Sequence, residues 1–153
     1  MTTLALSIHI LAAVIWVGGM FVIYVCLRPA LVALAQPAER LQLMYTVFGR
    51  FFPWVWLSII ALFASGYWVL FTVQGGFAFA GSHVHIMQGV AWIMFLLFAW
   101  LYWGAWADFR EAVDDENWPQ AGKDLDRIRK IIAVNLPLGL IVVVMGAGGR
   151  WWT

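Results

Sequence analysis

The chain has a single cysteine, Cys26, in 153 residues, which excludes an internal disulfide. Charge is scarce, since Asp, Glu, Lys and Arg together make up 11% of the residues with a formal net charge of +1. That balance excludes a nucleic-acid partner, which calls for clustered cations. The only hydrophilic stretch runs from Asp108 to Lys130, so there is no room for a soluble catalytic module. No C-x-x-C-H element is present for covalent haem attachment, nor a serine-histidine-acid set, a P-loop, a dinucleotide fingerprint or a zinc-protease helix. Any chemistry therefore belongs within or at a membrane.

Apolar residues dominate what remains. Hydrophobic residues make up 64% of the chain and its mean hydropathy is +0.86, far from a soluble domain. Four segments reach the about 20 residues needed to cross a hydrocarbon core as a helix. They run approximately Leu4–Leu27, Trp54–Val73, His83–Ala107 and Ile131–Gly149. None alternates like the strand of a membrane barrel. The first is too long, and too poor in N-terminal charge, for a cleaved signal peptide. The expectation is an all-α, polytopic four-helix bundle forming one domain over residues 1–153.

Orientation follows from the basic residues. Arg28, Arg40 and Arg50 flank the first connection, and Arg110, Lys123, Arg127, Arg129 and Lys130 lie in the third. The second connection has none and the tails carry only Arg150. The positive-inside rule places that basic side in the cytoplasm and both termini outside, periplasmic in a bacterial inner membrane. Arg28-Pro29 is expected to end the first helix, and Asn117 to Gly122 to form the turn between helices three and four. Asp114-Asp115-Glu116 lacks the ligand spacing of a calcium loop and reads as a solvated turn.

The segment from His9 to Trp16 (HILAAVIW) returns 76 positions later as His85 to Trp92 (HIMQGVAW), about half the chain length. His, Ile, Val and Trp recur in place, which implies a 2+2 parallel repeat of one helical hairpin. Such a repeat sets His9 and His85 at similar depth across the bundle, as two axial imidazoles of a haem would be. His9, Ala13, Trp16 and Met20 share one helical face, and His85, Gly89, Trp92 and Leu96 another. Ala13 and Gly89 leave space for a flat macrocycle, Trp16 and Trp92 could close its floor, and Arg150 could neutralise a propionate.

The main reading is thus one haem b with His9 and His85 as ligands, six-coordinate and suited to electron transfer. Its redox partner would be quinol, superoxide or a porphyrinogen-type substrate, and a homo-oligomer is compatible with it. Catalytic residues are not indicated. The plainer reading is that small residues serve helix packing and tryptophans serve interfacial belts, with His83 and Arg150 as anchors. A rival metal fits the same residues. His83 and Met87 share a helical face, and Met20, Met145 and Cys26 add soft donors that favour Cu(I). Cys26 lies more than about 20 Å from His9 along the helix, so these donors do not converge on one site. Met87, Met94 and Met145 also fit as packing residues.

The opening H-x6-W-x-G-G (His9, Trp16, Gly18, Gly19) with Arg28-Pro29 resembles the first helix of the CopD copper-resistance membrane family. Arg129 to Asn135, with Gly139, Gly146 and Gly149, resembles that family's closing helix. The resemblance implies a four-helix membrane unit and a copper permease. The larger group also resembles the HemJ-type protoporphyrinogen oxidases, associated with haem b, which pair a first-helix His with a third-helix H-x-K element. Here His83-Val84-His85 puts a histidine where that pattern has lysine. The departure argues against oxidase activity and for bis-histidine ligation.

Overall fold

The structure, a computed structural model, describes residues 1–148. Arg150, the expected propionate partner, and the tail tryptophans Trp151 and Trp152 lie outside the described residues. Four helices are long and apolar enough to cross a membrane: α1 (Thr2–Ala33), α2 (Pro37–Thr72), α3 (Ser82–Asp114) and α4 (Trp118–Gly148). Apart from Val73, which caps α2, and Gly149, which lies outside the described residues, they contain the four expected apolar spans and extend them at the basic end. No strand occurs among the described residues.

Arg28-Pro29 does not end α1. Proline lacks an N–H and removes one rung of an α-helix, but the turns before it widen into a π segment, Val22–Leu27. The helix thereby runs past Pro29 to Ala33. A second π segment, Leu101–Ala105, interrupts α3. Pro53 and Pro137 sit inside α2 and α4, which continue through them. Intramembrane helices tolerate such prolines where neighbours re-satisfy the freed carbonyls.

The turn between α3 and α4 is shorter than expected. Glu116 takes a positive φ of 55°, and the Asn117 side chain accepts the Gln120 N–H at 3.3 Å. Asn117 therefore caps α4. Trp118 and Pro119 form its first turn, where a missing proline N–H costs nothing. At the other end, Gly75 (φ 77°) and Gly76 (φ 102°) make the reversal between α2 and α3, a conformation disfavoured for residues bearing Cβ.

Helix α1 packs most closely on α2, and α3 on α4, while α4 also touches α1 and α2. Two glycines set the distances. A Cβ on Gly19 would collide with the Phe51 ring, and one on Gly139 would sit 2.9 Å from Val17 and 3.1 Å from Met94. The centre and basic half are filled by aromatic rings. Phe52 stacks on Phe48 at 5.0 Å and meets Trp106 edge-on at 5.2 Å and Phe98 at 5.5 Å. Trp56 adds edge contacts to Phe98 and Tyr102. Such offset and T-shaped pairs stabilise by about 0.5–1.5 kcal/mol each beyond burial. Outside the apolar layer, Arg127 of α4 ties that helix to α3 by bonding Asp108 at 2.7 Å, and buried Asp124 of its own helix holds it at 3.2 Å.

Candidate metal-binding site at the histidine end

All three histidines lie at the end opposite the basic loops, on two surfaces. His9 of α1 turns toward α2, where its Nδ1 lies 2.9 Å from Ser65 Oγ. The adjacent Gly66 makes room for the ring, since a Cβ there would sit 3.2 Å from His9 Cε1. Ser65 directs its own hydroxyl proton to the Ala61 carbonyl at 2.5 Å. A hydroxyl has one proton, so the imidazole must donate from Nδ1 and keeps its lone pair on Nε2. No hydrogen bond occupies Nε2 among the described residues. This pattern, one nitrogen anchored by a hydrogen bond and the other free, is how metal-ligating histidines are oriented.

His85 takes a different place. It is exposed on α3 and stacks on Phe77 of the preceding loop, with ring centroids 6.3 Å apart. The whole expected face His85, Gly89, Trp92 and Leu96 points away from the bundle interior. Trp92 is 43% exposed and leans on Phe63 of α2 at 4.8 Å instead of flooring a pocket. Gly89 faces open space. The rotation of α3 is set by Met94 and Phe98, which are buried against α4 and the aromatic core. On α1 the expected face does point inward. Trp16 is 3% exposed, Met20 is buried and Ala13 is half-buried. The structure thus gives His9 and His85 no common pocket, and the residues present do not fit a haem held between them.

His83, ranked behind His85 by sequence, is the more enclosed of the two. Its ring folds back over Gly81, where a Cβ would lie 2.7 Å from Cε1 and 2.8 Å from Nδ1. Its Nδ1 is buried without a hydrogen-bond partner. Met87, one turn deeper on the same face, places its methyl against Gly146 of α4. A glycine two residues before a histidine at a helix start was the available sequence signal. Between the two histidine sites, Gln88 donates to the Tyr67 hydroxyl oxygen at 2.7 Å, tying α3 to α2. Counting about 1.5 Å per residue along these helices puts His83 roughly 10 Å farther from the basic end than His9. No cluster of three or more His, Cys, Asp or Glu side chains capable of holding a metal occurs among the described residues. Cys26 is exposed near the opposite end.

A family model described as Copper resistance protein D matches residues 45–148. The chain belongs to the CopD family. The match covers most of α2 and all of α3 and α4, and therefore Ser65, His83, His85 and Met87. His9 and the rest of α1 lie outside it. No curated protein and no solved structure matches the chain. With four apolar spans, this CopD-family chain is a multi-pass membrane protein in contact with lipid.

Proposed function

We propose that this CopD-family protein captures copper(I) at its histidine end, as part of copper resistance. The observation that supports the reading most directly is the buried, unpartnered Nδ1 of His83 one helical turn from Met87. An orphaned buried nitrogen is costly, and a bound ion would satisfy it. Imidazole and thioether together select a soft cation such as Cu(I). His9 Nε2, held by Ser65, forms a second and deeper donor. The basic loops would face the cytoplasm of a bacterial inner membrane, which puts these donors at the outer face, where extracytoplasmic copper arrives. The aromatic-filled core of the basic half favours capture at this end over free passage through the bundle.

The test is Cu(I) binding by the detergent-purified full chain, measured by competition against a coloured Cu(I) chelator and paired with an absorption spectrum. Wild type should hold copper, His83→Ala and Met87→Leu should each lose most of the affinity, and His85→Ala should retain it. Chelator that keeps all the copper would refute the reading. A Soret band in protein made with haem available, lost in both His9→Ala and His85→Ala, would restore the bis-histidine haem b and an electron-transfer role with quinol or another redox partner.

A further inference from the structure

Three cations lie close together on α4, and two of them are paired. Arg127 bonds Asp108 and Asp124, and Lys130 bonds Asp126 at 2.8 Å. Arg129 has no carboxylate within ion-pair distance among the described residues, although it is the half-buried member of the three. It lines a crevice with Arg28 of α1, which is likewise without a carboxylate partner. The Arg28 guanidinium rests over the Tyr24 ring at 5.2 Å, a contact that holds it in place. The other walls are Ile23, Leu31, Met44, Phe48 and Ile132, so no acidic side chain lines the crevice; the nearby Asp126 carboxylate feels both arginines but is bonded to Lys130. Two like charges beside an apolar floor repel each other, Asp126 offsets this only from outside the crevice, and an anion bridging the two guanidinium groups would relieve it directly. The π segment Val22–Leu27, immediately before Arg28, is the kind of helix defect that recurs at functional sites.

We propose that this crevice binds the phosphate of an anionic phospholipid from the leaflet at the basic end. Guanidinium forks match phosphate oxygens in paired hydrogen bonds, and basic pockets between membrane helices bind lipid headgroups. The crevice holds only about 10 Å³ of free space, too little to enclose a nucleotide or sugar phosphate. A headgroup phosphate reaching its mouth sideways needs no more, because the glycerol and acyl chains stay in the bilayer against the apolar walls. The site is separate from the histidine end and stands whether or not copper is captured there.

The test uses the full chain in non-ionic detergent with phosphatidylglycerol or phosphatidylcholine of identical acyl chains, counting retained lipid by native mass spectrometry. Phosphatidylglycerol should bind more tightly. Arg28→Gln and Arg129→Gln should each weaken it about fivefold. Lys123→Gln, which removes an exposed charge outside the crevice, should leave it unchanged. Arg129→Lys keeps the charge and the fold but loses the fork, so it should also weaken binding; it decides the matter where a glutamine variant fails to fold. The proposal is overturned by equal retention of the two lipids or by an equal loss in Lys123→Gln. Displacement of phosphatidylglycerol by millimolar inorganic phosphate would overturn it too, by assigning the arginines to a free anion.

Discussion

His9 donates its Nδ1 proton to Ser65 Oγ across 2.9 Å, because the serine's own proton is committed to the Ala61 carbonyl. That hydroxyl, together with the Leu62 backbone that also faces the imidazole, favours the Nδ1–H tautomer. The lone pair on Nε2 is available without rearrangement, which is the preorganisation a soft-metal donor needs.

Ser65→Ala should therefore weaken copper binding without touching a donor atom. Loss of a hydrogen-bonded partner to a ligating histidine typically lowers metal affinity about 10–100-fold. The measurement belongs in a His83→Ala background, where chelator competition reads His9 alone. Ser65→Thr, which keeps the hydroxyl, should restore most of the affinity. Unchanged binding in Ser65→Ala would show that the His9–Ser65 bond has no part in metal capture.

Gly81→Ala makes the corresponding test at His83. The added methyl would lie 2.7 Å from His83 Cε1, so the ring must swing away from the chain. Copper affinity should fall toward that of His83→Ala, while helix α3 keeps its length, because Gly81 precedes the first helical residue. A Gly81→Ala protein that binds copper like wild type would mean the folded-back ring position is not the binding one.

Four apolar runs and their basic flanks made the bundle legible, because a spanning helix must be long and apolar whatever it packs against. Histidine placement was less so. The match of His9–Trp16 with His85–Trp92 aligns sequence but not helix rotation, and rotation decides which side chains meet. That rotation comes from long-range packing of Met94 against α4 and of Phe98 against Trp16, Phe52 and Trp56, which no local pattern encodes. Proline misled in a similar way: at Pro29 and Pro119 it signals a break locally, yet a π segment and a capped first turn absorb it. The orphaned Nδ1 of His83 depends on a ring folding over Gly81, a contact visible only once the backbone is placed.

Gly18 and Gly19 are neighbours in sequence with opposite expected behaviour. A Cβ on Gly18 meets nothing within 4 Å, whereas one on Gly19 would enter the Phe51 ring. Gly18→Ala gains helix propensity of up to about 1 kcal/mol and should be neutral or stabilising. Gly19→Ala must displace the Phe51 ring or part α1 from α2, and should cost about 1–3 kcal/mol, as overpacking does. Unfolding of both variants in mixed micelles checks the contrast, and equal stabilities would remove the close α1–α2 approach from the account.

Trp16 and Asn135 are each 3% exposed, and each carries one polar atom without a partner, the indole Nε1 and the amide Oδ1. Asn135 also donates from Nδ2 to the Met94 carbonyl at 3.3 Å, and that carbonyl keeps its own intrahelical donor when the amide is removed. Interhelical hydrogen bonds in membranes average only about 0.6 kcal/mol. Asn135→Leu removes the orphaned oxygen along with that bond, so its net effect on stability should be within about 1 kcal/mol. Trp16→Phe discards the unpaired N–H and keeps an aromatic edge toward Phe98, 6.3 Å away, so it too should be nearly neutral. Trp16→Ala, by contrast, opens a cavity at the helix junction and should cost about 3–5 kcal/mol. Reversible unfolding of the three variants separates packing from polarity. A loss near 3 kcal/mol in Trp16→Phe or Asn135→Leu would mean that the orphaned atom has a partner, such as a buried water, on which the bundle depends.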